Sequence, residues 1–170
     1  DPGFADRTYL EPLDVEGLDG IRLHLAVAVE PVWHATEKAA GAEGEPIPFW
    51  AFAWAGGLAL ARFVIEHPAE VRGRRVLDFA TGSGVVAIAA ARAGAVHVTA
   101  ADIDPLAEAA VDLNARANAV HVGFLRRDLL DDDLPPDVDV LLAGDTWYEG
   151  PLAERVLPWL RSAAARGTRV

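Results

Sequence analysis

The chain has 170 residues, 52% of them hydrophobic and 24% charged, which suits one domain with a real core and excludes extended disorder. Acidic residues number 26 against 15 basic ones, for a formal net charge of −11. That balance argues against a nucleic-acid binder and suits a substrate that is small or locally cationic. Cysteine is absent, so disulfides, thiolate metal sites and cysteine nucleophiles are excluded. His24, His34, His67, His97 and His121 fall at no ligand spacing, and the acids at 131–133 have no calcium pattern, so no metal is expected. No apolar run reaches about 18 residues and no basic-then-apolar leader opens the chain, so the expectation is no membrane partner and a cytoplasmic location. The chain opens on Asp1 rather than Met and stops as an apolar run begins at Arg169-Val170, so both ends read as trimmed.

In chain order, residues 21–29 alternate loosely between Gly20 and Glu30-Pro31 and predict a strand. Residues 41–48 form the clearest loop and separate an N-terminal segment from the main body. Residues 48–67 predict one helix, ended by Pro68, with its apolar part buried. A short strand over 74–79 runs into the turn Gly82-Ser83-Gly84, and an alanine-rich helix follows over 85–93, closed by Gly94. Residues 96–101 predict a second strand. Asp104 then reads as a helix cap and Pro105 as the first helical residue of a helix running to about Asn118. A third strand is expected over 120–125, a loop over 131–136 and a fourth strand over 138–143. A helix over 151–166 is expected to bend at Pro158, and Thr168 opens a fifth strand. His97 and His121 fall within strands as structural residues, and Trp50 and Trp159 read as core.

Short strands that are apolar on both faces and alternate with helices predict an α/β fold with a buried parallel sheet. Such sheets bind ligands at the carboxyl ends of their strands. Four turns therefore matter. After the first strand, Asp78-Phe79-Ala80-Thr81-Gly82-Ser83-Gly84 lets a backbone approach a ligand and aims a helix N-terminus at it, or is a tight turn without a ligand. Gly82-x-Gly84-x-x-Ala87 also fits a dinucleotide fingerprint formally. After the second strand, Asp102 stands where an acid accepts bonds from ribose hydroxyls, the alternative being that it only caps the next helix. After the third, Asp128 either faces an adenine amino group or is a solvated charge. After the fourth, Gly144-Asp145-Thr146-Trp147-Tyr148-Glu149 delivers an acid and two aromatics to the sheet edge. An acid there can hold an amine and aromatics can line a channel for it; the alternative is a packing turn.

The segments Val76–Gly84 and Ala100–Ala107 resemble the first two motifs of class I S-adenosylmethionine-dependent methyltransferases. The turn Gly144–Glu149 resembles the Asp-x-x-Tyr motif of the seven-β-strand protein lysine methyltransferases. Within that group the chain is most similar to the electron-transfer flavoprotein β-subunit lysine methyltransferase family and its bacterial relatives. The stretch from Pro48 to Ala61, with Trp54-Ala55-Gly56-Gly57, resembles that family's helix before the sheet. Ala80 replaces the first glycine of the family turn, and Ala55 stands where relatives carry proline.

The resemblance implies a three-layer Rossmann-like sheet, truncated here after the start of its fifth strand and lacking a C-terminal hairpin. Residues 1–47 would form a strand or hairpin over the active site, and 48–170 the cofactor-binding domain. The implied cofactor is S-adenosylmethionine. Asp78 would face its amino group, Ala80, Gly82 and Gly84 would give it room, Asp102 and Ile103 would hold the ribose end, Asp128 would face the adenine, and Trp54 would lie alongside. Asp145 would hold the acceptor amine and Tyr148 would shape its slot, with Trp147, Glu149 and Trp33 near the substrate. The implied acceptor is a protein lysine. A small nicotinamide-like amine is the nearest alternative, followed by a nicotinamide-dependent oxidoreductase and by an inactive cofactor-binding module.

Overall fold

Four short apolar strands make one parallel sheet in the computed structural model, which describes residues 10–40, 47–132, 135 and 137–170. Most of the expected loop at 41–48, and residues 133, 134 and 136 of the acidic loop, lie outside the described residues. The elements are β1 (Leu10–Asp14), β2 (Arg22–Ala26), α1 (Val29–Ala40), α2 (Ala55–Glu66), β3 (Arg75–Phe79), α3 (Val85–Arg92), β4 (His97–Asp102), α4 (Pro105–Ala117), β5 (Gly123–Arg126), β6 (Val140–Ala143) and α5 (Gly150–Ala165). The sheet order is β5-β4-β3-β6, so the chain reverses direction across the sheet between β3 and β6. Arg169 pairs in parallel with Val140, so the residues after α5 begin a further strand beside β6, as expected.

Side chains alternate across each strand and so divide the core in two. Val76, Val98, Val140 and Leu142 pack with Ala61 and Val64 of α2 and with Val85 to Ala90 of α3. Leu77, Phe79 and Leu141 pack on the other face against Val156, Trp159 and Leu160 of α5. A third cluster joins Leu10, Ala26, Val32 and Trp50 to Ala107 and Ala110 of α4. Trp50 and Trp159 are both buried, as expected.

Residues 10–26 form a hairpin, β1 with β2, docked on the end of α4 through two asparagines one turn apart. The Arg22 N–H donates to Asn118 Oδ1 at 3.0 Å, and the His24 N–H donates to Asn114 Oδ1 at 2.7 Å. Asn114 Nδ2 in turn donates to the Ser83 carbonyl at 2.9 Å, inside the glycine turn.

Several expected boundaries move. Val29 does not end a strand; it starts α1, and Pro31 sits in that helix's first turn, where its missing N–H costs nothing. The single helix expected over 48–67 is two pieces. Phe49–Ala51 is a 3-10 turn, Phe52 and Trp54 are extended, and α2 starts at Ala55. Its first free N–H groups find a remote acceptor, Asp145, which stabilises a helix start that local propensity does not show. Nor is α2 wholly buried: Phe63 and Ile65 are exposed. The third strand starts at Gly123, because the Val120 N–H is still spent closing α4 on Ala115, and His121 therefore lies outside any strand. Pro158 sits inside α5.

Candidate active site

A cavity of about 740 Å³ opens at the carboxyl ends of the strands. That is within the usual range for a drug-sized or nucleotide-sized ligand. Trp54, Asp78, Ala80, Gly82, Asp102, Ile103, Asp128, Asp145 and Tyr148 line it. Gly84, Trp33, Trp147 and Glu149 are not in its wall. Thr36 on α1 is, although Trp33 on the same helix is not.

Asp78 is the penultimate residue of β3, on the face of Val76, and it is buried. Its Oδ2 accepts from the Thr81 hydroxyl at 2.5 Å and from the Ala87 N–H at 3.1 Å. Burial pushes its carboxyl up to about 7; the bonds from Thr81 and Ala87 oppose that, and the nearby Asp102 charge adds to it.

The turn after Asp78 is left-handed at three places: Ala80 (φ 54), Gly82 (φ 51) and Gly84 (φ 83). Gly84 is the helix-α3 N-cap and packs against α4, where an added Cβ would lie 3.1 Å from Val111 Cγ2. That makes Gly84 a backbone and packing residue rather than a wall of the cavity. Ala80 is exposed and adopts the same region with a methyl group, which is unfavourable for any residue but glycine.

Asp102 ends β4. Its Oδ2 accepts from the Gly82 N–H at 2.9 Å and its Oδ1 from the Asp104 N–H at 3.1 Å. A carboxylate offers about four acceptor sites, so two remain for a ligand's hydroxyls. Asp104 accepts from the Leu106 N–H at 2.8 Å and caps α4, with Pro105 in the first turn, as the sequence predicts. Asp128 accepts from the Leu130 N–H at 3.0 Å and from Arg155 Nη2 at 3.0 Å. Burial would raise the Asp128 carboxyl, but the Leu130 N–H and the Arg155 guanidinium together hold it below the usual carboxylate range.

Asp145 follows β6 and points at the start of α2. Its Oδ1 accepts from the Gly56 N–H at 2.7 Å, and its Oδ2 accepts from the Gly57 N–H. Three glycines allow this approach. A Cβ at Gly56 would stand 2.6 Å from Asp145 Oδ1, one at Gly57 3.1 Å from Oδ2, and one at Gly144 3.0 Å from the Gly57 Cα. Trp54 is the α2 N-cap residue and has no capping side-chain bond; its Nε1 donates instead to the Phe49 carbonyl at 2.9 Å. Phe49 lies 5.7 Å from the Trp54 ring and 5.5 Å from the Tyr148 ring, so three aromatics line one side of the mouth. Burial, with the Glu149 and Asp102 charges behind it, raises the Tyr148 phenol above its ordinary value, so it stays neutral near pH 7. Trp147 and Glu149 are exposed beside the mouth.

Among the described residues the cavity wall carries five carboxylates (Asp78, Asp102, Asp104, Asp128, Asp145) against two guanidiniums, Arg127 and Arg155. Such a wall favours a cationic ligand. No group of acids and histidines suited to a metal occurs among the described residues, and no described helix is long and apolar enough to cross a membrane. Sequence reasoning did not find Arg155, which reaches the site from α5 and carries no motif. Thr81 and Phe49 lie within the motif-bearing segments, but their bonding roles depend on Asp78 and Trp54 and are not visible in the motifs themselves.

The family model for ribosomal protein L11 methyltransferase (PrmA) matches residues 62–144. The electron transfer flavoprotein beta subunit lysine methyltransferase of Xenopus laevis is 42% identical over 125 residues, covering 72% of this chain and 50% of that protein. The chain spans about half the length of such curated relatives. Among solved structures, a ribosomal protein L11 methylase from Lactobacillus delbrueckii subsp. bulgaricus superposes with a TM-score of 0.54 at 29% identity, covering 70% of this chain and 57% of that one. A 16S rRNA N2 G1207 methyltransferase from T. thermophilus gives a TM-score of 0.58 over 92% of this chain and 38% of that one, at 22% identity, a likeness of fold alone. Sheet order, glycine turn and sequence likeness converge: the chain has a methyltransferase-like fold and is similar in sequence to the ribosomal protein L11 methyltransferases and to the lysine methyltransferases of the electron transfer flavoprotein β subunit.

Proposed function

We propose that the chain moves a methyl group from S-adenosylmethionine to a lysine side chain of a protein. The observation that carries the reading is the acid-rich cavity at the carboxyl edge of the sheet, with Asp78, Asp102 and Asp128 at or just beyond the carboxyl ends of β3, β4 and β5. The donor set fits the cofactor. Asp78 uses Oδ2 for both of its bonds and gains a favourable partner if a ligand ammonium comes within reach. Asp102 keeps two acceptor sites for ribose hydroxyls, and Asp128 with Arg155 lines the far wall. When bound, S-adenosylmethionine supplies an activated methyl on a sulfonium, so the protein needs no metal and no covalent intermediate.

What the chain contributes is alignment and exclusion of water. Trp54, fixed by its bond to Phe49, walls the cavity beside Tyr148, and the neutral Tyr148 phenol narrows the mouth. The aromatic faces favour a cationic amine entering there. The amine must lose one proton before it attacks, and that proton passes to water at the open mouth. The surplus of wall carboxylates supports a lysine-bearing protein over a phosphate-rich nucleic acid.

The test is calorimetric binding of S-adenosylmethionine followed by radiolabelled methyl transfer to host lysate proteins. Label on protein lysine, reduced at least tenfold in Trp54→Leu, is the expected result. Label confined to small-molecule fractions would move the acceptor to a free amine, and failure to bind the cofactor would overturn the reading altogether.

A further inference from the structure

The Asp-x-x-Tyr turn presents Asp145 as a group for the acceptor, yet its hydrogen bonds run elsewhere. Residues 55, 56 and 57 are the first three of α2, and the N–H groups of the second and third helical positions are those an N-cap side chain normally serves. The residue at the cap is Trp54, whose indole donates and cannot accept. Both Gly56 and Gly57 N–H groups donate instead to Asp145, a carboxylate 88 or more positions away in sequence and set at the positive end of the helix dipole. Gly144 and the glycine pair are small enough to bring the β6 end and the helix start together.

We infer that Asp145 is a positioning residue: it caps α2 from the end of β6 and thereby fixes the Phe49–Trp54 aromatic wall against the cofactor cavity. Trp54 is the residue immediately before the capped turn, and Phe49 holds the Trp54 indole. Losing the cap frees the start of α2, and with it the wall. The effect should fall on the cofactor and not on the acceptor. This inference rests on the methyl-transfer reading for its calorimetric and kinetic arms and not for its exchange arm.

Two variants act on the link from opposite sides. Asp145→Asn keeps the shape of the side chain but turns an NH₂ group on one of the two N–H donors. Gly56→Ala keeps the carboxylate and pushes it away, since the new Cβ would lie 2.6 Å from Oδ1. Hydrogen exchange in Asp145→Asn should show lost protection at the Gly56 and Gly57 amides with β3 and α3 unchanged; retained protection there overturns the link. Calorimetry with S-adenosylmethionine should show affinity falling about tenfold in each variant, the size expected for a lost charged cap. The double variant should be no worse than the weaker single one. In radiolabel transfer titrated with unfractionated host protein, half-saturation in that protein should stay within about twofold. A rise in acceptor half-saturation with cofactor affinity intact, or a silent Gly56→Ala, would place Asp145 on the acceptor and overturn the inference. A purely structural role would lower turnover with both affinities unchanged, which also overturns it. If the wild-type chain binds no S-adenosylmethionine, the methyl-transfer reading fails, while the exchange experiment still decides the link.

Discussion

The turns after β3 and β6 both end buried strands at the same edge of the sheet, yet they are built in different ways. The first closes largely on its own residues, with further bonds to the adjacent end of β4. Asp78 is held by Thr81 and Ala87, the Gly84 N–H donates to the Thr81 carbonyl at 2.9 Å, and the next helix starts at once. The second closes on a distant element, since Asp145 serves a helix start on the far side of β3 in sequence. A locally closed turn can be read from its own residues. A turn closed at long range shows only that an acid and aromatics are present.

The largest expected effect tests how self-contained the first turn is. Asp78 ordinarily titrates at 3.8 and is pushed up to about 7 here, chiefly by burial. The folded chain thus holds that proton more tightly than the unfolded one. The contribution is most favourable below the unfolded value and is lost as pH rises through the folded one, roughly 4 kcal/mol in all at about 1.4 per unit. Urea midpoints at pH 5 and pH 8 should show wild type losing roughly 3 kcal/mol more than Asp78→Asn over that window. Parallel losses in the two proteins would mean that Asp78 is already ionised at pH 5. A cationic cofactor reverses the effect, so binding near pH 6 should release close to one proton in wild type and none in Asp78→Asn, read by calorimetry in buffers of different ionisation enthalpy.

Asn114 probes the most distant tie of that first turn, which is also bonded to the end of β4 through the Thr81 and Gly82 N–H groups. It is fully buried, accepts from the His24 N–H and donates to the Ser83 carbonyl. Asn114→Ala leaves both groups without their partner and should cost about 2–3 kcal/mol. It should also raise hydrogen exchange in β2 and in the glycine turn together. If only β2 loosens, the turn is independent of the hairpin and the contrast with the second turn is complete.

The same contrast explains what the sequence discloses. Strand β3, the glycine turn, α3, the Asp104 cap and the position of Asp102 were all legible, because each depends on neighbours within a few residues. The aromatic stretch before α2 was not. Its residues look helical from 48 to 67, and the break at Phe52 to Trp54 is set by an acceptor that arrives with β6. Helix α1 was concealed by Pro31, which reads as a boundary but is tolerated in a first turn. Among site residues, Asp78 and Asp102 announced themselves through their turns. Arg155 did not, since one arginine on a helix looks the same whether it meets solvent or Asp128 and Asp131.

Gly84 carries a requirement local to the first turn. At φ 83, and with a prospective Cβ 3.1 Å from Val111 Cγ2, Gly84→Ala incurs the left-handed penalty and crowds α4. Denaturant unfolding should show a loss of about 2 kcal/mol. A loss below about 0.5 kcal/mol would mean that the turn relaxes into another conformation.

Ala80 gives the smallest effect and the sharpest test of local closure. It holds φ 54 beside Phe79 although glycine alone adopts that region without strain. The turn keeps this shape because its neighbours are fastened: the Thr81 N–H donates to the Ala101 carbonyl at 3.1 Å and the Gly84 N–H to Thr81. Ala80→Gly relieves about 1–2 kcal/mol of left-handed strain but adds about 0.5–1 kcal/mol of unfolded-state freedom, so the net should be a gain of about 0.5 kcal/mol. The urea midpoint should rise slightly with an unchanged slope. A fall in stability instead would mean that the exposed methyl of Ala80 makes a contact worth more than the strain. The turn would then be held by packing rather than by its own hydrogen bonds, and the distinction between the two ends of the sheet would weaken at the place where it is drawn.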